Sequence, residues 1–172
     1  LHDSPEMDAK RRQRDARWKA IAPRWPKSAD GRWYWKADTS SDELDGHFFF
    51  YAAYFDLVAK EGPERAAVRA QVAAVADHLL AHDYALVDHD GRPTRWAVFG
   101  PSALNQDPQW SEARGLNSTS ILAYLRVAEH VTGDPKYGAA ARDLIDRHGY
   151  ALNTLIARSF AGVGSGNQSD DE

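Results

Sequence analysis

Residues 38–47, DTSSDELDGH, gather acids and hydroxyls immediately ahead of a strongly apolar run, FFFYAAYFDLV, at 48–58. Such a cluster at the start of a helix suits general acid–base chemistry. The free peptide N–H groups of a helix N-terminus favour carboxylates and keep some of them ionised. Neighbouring aromatic rings desolvate others and raise their pKa. Two carboxylates split in this way can protonate one atom of a substrate and activate water at another. Asp42 and Glu43 are the candidate catalytic acids here, with Asp45 and His47 one turn further in. A second cluster, NQSDDE at 167–172, adds Asp170 and Asp171, while NSTS at 117–120 is polar without being acidic. A structural reading stands beside the chemical one. Acids in a first helical turn serve as capping and dipole partners, and a His next to three Phe suits a hydrogen-bonded core residue.

Sugar recognition is the binding chemistry that the other side chains suggest. Trp33, Tyr34, Trp35 and Trp96 offer flat apolar faces for the C–H patches of a sugar, while Arg95, Asn117 and Asn167 are planar polar partners for its hydroxyls. The candidate substrate-binding set is therefore Trp35, His47, Arg95, Trp96, Asn117 and Asn167. Arg95 is the best fitted of these to the carboxylate of an acidic sugar; the opposing reading is a surface ion pair. For the aromatics of 23–40, the opposing reading is that they plug the core from an irregular segment.

No metal and no cofactor are expected. Counted from Asp38, positions six and twelve of an EF-hand loop would be Glu43 and Phe49, where Gly and Glu are needed. Asp88-His89-Asp90 reads as turn chemistry. Nucleophilic triads, Gly-rich phosphate loops and HExxH motifs do not occur.

The elements that must position these residues follow from periodicity. The chain of 172 residues is 43% hydrophobic and 11% aromatic, enough for one domain with a core. Its net charge of −4 gives no pull toward nucleic acid or anionic lipid. No apolar run approaches the roughly 20 residues of a membrane span. With no Cys, disulfides are excluded but the compartment stays open, a periplasmic or extracellular one being favoured. Oligomeric state is open too.

A charged helix is expected over about 5–21, then helices over 41–61, 63–83, 118–131 and 135–157, with an inserted β-hairpin at 84–100. Residues 158–172 read as a Gly-rich connector into a further helix, so that 1–172 reads as a single domain within a larger, internally cut protein. The first and third of the four later helices are apolar nearly all round and should be buried on all sides; the second and fourth keep one wet face. Simple four-helix bundles do not sort helices in this way. Two concentric layers do: an all-α, partial ring of antiparallel hairpins, whose inner helices open with TSSDE, NSTS and NQSDDE at one rim.

DGRPTRW (90–96), RGLNSTSILAYLRVAEHVTGDPKY (114–137), HGYALNTLIA (148–157) and GNQSDDE (166–172) resemble an uncharacterised bacterial group of the six-hairpin glycosidase superfamily. The likeness covers about 35–172. It implies an (α/α)6 toroid and a carbohydrate substrate or ligand, the superfamily including unsaturated glucuronyl hydrolases, polysaccharide lyases and inverting glycosidases. By position it implies that Asp42 or Glu43, and Asp170 or Asp171, act on substrate and water. The alternative is a non-catalytic toroid that binds glycan or protein through the same cavity.

Overall fold

The structure is a computed structural model that describes residues 4–156. The 158–172 connector and the candidates Asn167, Asp170 and Asp171 lie outside the described residues.

The chain is mostly helical with one small antiparallel sheet. Ser4 caps α1 (Pro5–Arg14), its hydroxyl accepting from the Met7 N–H at 3.2 Å. The helix stops at Arg14 and does not run to 21, because Asp15 leaves it to bind Arg95, 80 residues away. An irregular segment leads to α2 (Ser41–Leu57), and Gly62, at φ 93°, turns the chain into α3 (Pro63–Ala81). That φ suits glycine because no side chain is present to clash.

Strands β1 (Ala85–Val87) and β2 (Pro93–Val98) pair antiparallel, with Ala85 opposite Val98, and form the expected hairpin. A short α4 (Pro101–Leu104) and a 3-10 turn at Pro108–Ala113 lead into α5 (Arg114–Thr132), followed by α6 (Pro135–His148) and α7 (Tyr150–Asn153). The single helix expected over 135–157 is broken at Gly149, which takes a left-handed φ of 69°. Helix α5 begins a turn before the expected residue 118, since the 3-10 turn feeds straight into it and Arg114 Nε donates to the Leu104 carbonyl. The NSTS stretch therefore lies inside the helix and does not open it.

Helix α5 is the hub. Ile121, Leu125 and Ala128 are wholly buried, and the helix packs on α2, α3, α6 and α7. Helices α2 and α5 lie side by side and run the same way. Near the start of α2, the Tyr124 hydroxyl meets the Ser41 carbonyl at 3.0 Å, and the Phe48 and Tyr124 rings stack with centroids 4.4 Å apart. Near the end of both helices, His130 Nε2 meets Asp56 at 2.8 Å. Between α3 and α6, Tyr137 at the head of α6 donates to Asp77 of α3 at 2.8 Å.

The expectation that both apolar helices are buried all round fails for each: α5 keeps an exposed stripe at Thr119, Ala123, Arg126 and His130, and α2 exposes large apolar side chains. Phe49 is 79% exposed, Phe50 54% and Leu57 82%. Composition makes a helix face apolar, but only a neighbour can bury it. Among the described elements α2 packs chiefly on α3, α5 and β2.

Candidate functional site

The head of α2 is where the described acids and hydroxyls gather. Ser40 precedes the helix in extended conformation, and Glu43 folds back onto it. One Glu43 oxygen accepts from the Ser40 N–H at 2.8 Å and from its hydroxyl at 3.1 Å, while Lys36 Nζ lies 2.8 Å from both carboxylate oxygens. Burial alone would raise the Glu43 pKa, but the bonds from Lys36 and Ser40 outweigh it and hold the group below its ordinary value. Glu43 is thus an anchor that fixes the start of the helix.

Asp42 differs. It is exposed and makes no hydrogen bond or ion pair among the described residues. One turn on, Asp45 Oδ1 accepts from the Tyr124 hydroxyl of α5. Burial first, then Asp45, and then Asp42 through space, push the Tyr124 pKa far up, so the phenol stays a donor.

Two hollows flank this helix head. A groove of about 340 Å³ runs between α2 and α5, walled by Phe48, Phe49, Ala52 and Tyr124, with Asp45 on its lip. A polar pocket of about 490 Å³ is formed by Lys36, Thr39, Glu43, Gly46 and His47. A helix advances about 100° per residue, so Asp42 projects between the groove side (45, 48, 49, 52) and the polar side (43, 46, 47). His47 is exposed, its ring stacked near Tyr51 with centroids 5.9 Å apart. It is not a buried core residue. The imidazole of His47 belongs to the polar pocket and the apolar wall to the groove, while the open carboxylate of Asp42 lines neither and lies between them on the helix.

The remaining candidates are placed differently. Asn117 is buried, and its amide donates to the Trp96 and Val98 carbonyls at 3.3 and 2.9 Å, tying the hairpin to α5. Arg95 is buried too. Its Nε and Nη2 donate to Asp15 at 2.7 and 2.9 Å, and its guanidinium covers one face of Trp96 at 3.6 Å. The ion-pair reading of Arg95 therefore has a partner, but an interior one. Trp33, Tyr34 and Trp35 do not plug the core: they are 71%, 53% and 42% exposed, and Trp35 meets His89 edge-on.

Spacing alone did not reveal the Asp45–Tyr124 bond, which joins residues 79 apart. Nor did it reveal Asp38, whose buried carboxylate accepts from Arg24 Nη1 and from the Arg95 N–H. A positive φ of 59° marks Asp38 as a built position. The 88–90 turn is a turn, with Gly91 N–H donating to the Asp88 carbonyl. Its acids have a further use: Asp88 and Asp90 hold Lys19 at 2.7 and 3.1 Å. Among the described residues no group of three or more His, Asp or Glu is arranged to hold a metal ion.

No protein-family model matches the chain, and no curated protein or solved structure matches it either.

Proposed function

We propose that this chain is part of a carbohydrate-active enzyme of (α/α)6 toroid architecture, glycoside hydrolase-like, acting on a uronic-acid-containing poly- or oligosaccharide. The observation that carries the reading is the head of α2, where Asp42 is an open carboxylate in the turn before Asp45, the acid that lines the groove between two parallel helices. In this reading α2–α3 and α5–α6 are two adjacent hairpins of the ring, with α2 and α5 on its inner wall. Asp42 gives its proton to the glycosidic or vinyl-ether oxygen. A second acid, Asp170 or Asp171, takes a proton from the water that adds to the sugar carbon. Such pairs act across about 5–9.5 Å. Glu43 is the weaker choice of the first pair, because Lys36 and Ser40 already occupy both of its oxygens.

A binding scaffold is the second reading, favoured by the exposed Trp33–Trp35 run on a segment that carries no open acid pair. Release of reducing or unsaturated ends from uronic-acid oligosaccharides by the intact protein separates the two. Turnover that falls about 10²–10⁴-fold in Asp42→Asn supports the enzyme. Binding of the same oligosaccharides without any turnover in the unaltered protein supports the scaffold.

A further inference from the structure

A second concave site lies away from the head of α2, where the segment after α1 crosses the β-hairpin. Arg17, Trp18, Lys19, Arg92, Arg95 and Trp110 line a cavity of about 340 Å³. Four of these six are cations, in a chain whose net charge is −4. Their charges are not equally matched. Lys19 is held by Asp88 and Asp90, Arg92 by Asp90, and Arg95 by Asp15. Arg17 has no ion pair among the described residues: its backbone N–H, not its guanidinium, reaches Asp15, and the guanidinium lies over the Trp110 ring at 4.4 Å. Asp15, then Asp107 and Glu112, act on the Arg17 guanidinium only through space.

The nitrogens tell the same story. Arg95 spends Nε and Nη2 on Asp15, but its Nη1 is buried without a hydrogen-bond partner, on a side chain only 5% exposed. Arg17 Nη1 is likewise buried and unpartnered. An unsatisfied buried N–H is costly, and costlier on a charged group. Two such groups on like-charged neighbours compound the cost. Burial, and then the charge of Arg95, lower the pKa of Arg17. A cation without an ion pair, sharing a cavity with a second whose ion pair leaves one N–H in hand, is the arrangement that an oxyanion relieves, since it accepts from both guanidinium groups at once.

We infer that this cavity is a binding site for a small oxyanion, a carboxylate or phosphate group, held between Arg17 and Arg95. The stacking of Arg17 on Trp110 fixes one fork, and the Asp15 pair fixes the other, so the site is preorganised. It does not depend on the proposed activity: binding here requires no turnover.

The test is calorimetric titration of the intact protein with inorganic phosphate and, separately, with glucuronate, in a buffer of low ionic strength. At least one should bind with a dissociation constant of roughly millimolar or tighter, and which one binds assigns the group. Arg17→Gln should weaken that binding at least about 10-fold, because it removes one of the two forks. The fold should survive, since Arg17 has no ion-pair partner to strand. Arg32→Gln, at an exposed arginine outside the cavity, should bind as the unaltered protein does. Absence of binding by both anions, or an equal loss in Arg32→Gln, would overturn the inference. Should Arg17→Gln not fold, the titrations of the unaltered protein and of Arg32→Gln still decide it.

Discussion

At the residue scale, neighbours in sequence part company in role. Glu43 and Asp42 share a first helical turn, yet one is fully bonded and the other is open. The acids of the hairpin turn show the same dependence on partners. Burial would raise the Asp90 pKa, but bonds from the Arg92 backbone and side chain and from Lys19 lower it to about 2. An ordinary Asp titrates near 3.9. A carboxylate depressed by folding contributes stability that is complete above its unfolded pKa and is lost as pH falls through the folded one. The expected outcome is a loss of stability between about pH 4 and pH 2 that is smaller in Asp90→Asn, measured by urea unfolding across that range. Tyr124 allows a second prediction. Tyr124→Phe leaves Asp45 without its hydroxyl donor at a buried junction and should cost about 1–3 kcal/mol in the same assay.

At the element scale, helix beginnings and close approaches govern the fold. Gly115 lies in the first turn of α5, where an added Cβ would come within 2.0 Å of the Ile156 carbonyl oxygen and 3.3 Å of that of Asn153. Both atoms belong to backbone, which cannot swing aside as a long side chain does. Gly115→Ala should therefore cost about 1–3 kcal/mol or more, read as a lowered melting temperature, by prising the chain after α7 off α5. The helices and the hairpin were legible in the sequence because their signals are local: Ser4-Pro5, Gly62-Pro63, Asp134-Pro135 and the 88–91 turn each stop or start an element at its own position. The early end of α1 and the early start of α5 were not, because each is set by a distant partner. Asp15 leaves its helix for Arg95, and Arg114 is held by Leu104. The same distinction divides the site. Asp42 and Glu43 stood out by spacing, whereas the burial of Asn117 and Arg95 depends on how the hairpin sits against α5 and α1.

At the scale of the whole molecule, apolar composition and burial diverge on α2. Phe49, Phe50 and Leu57 fall on one exposed stretch of a helix whose other faces meet α3, α5 and β2. An apolar patch of this kind favours self-association. Sedimentation of the 172-residue chain should show mass rising with concentration, and Phe49→Ser with Phe50→Ser should reduce that rise. Helices α2 and α5 run the same way but start at different levels, the first residue of α2 meeting Tyr124 in the middle of α5, and this packing brings Asp42, Asp45, Ser41 and Tyr124 near one another. That convergence is the ground for reading Asp42 as the reacting acid and Glu43 as its support. Comparing Asp42→Asn with Glu43→Gln, for oligosaccharide turnover and melting temperature together, tests it most directly. Asp42→Asn should lose turnover and melt as the unaltered protein does. Glu43→Gln should melt lower while its folded fraction still turns over substrate. Full turnover in Asp42→Asn, with its loss in a stably folded Glu43→Gln, would contradict the assignment.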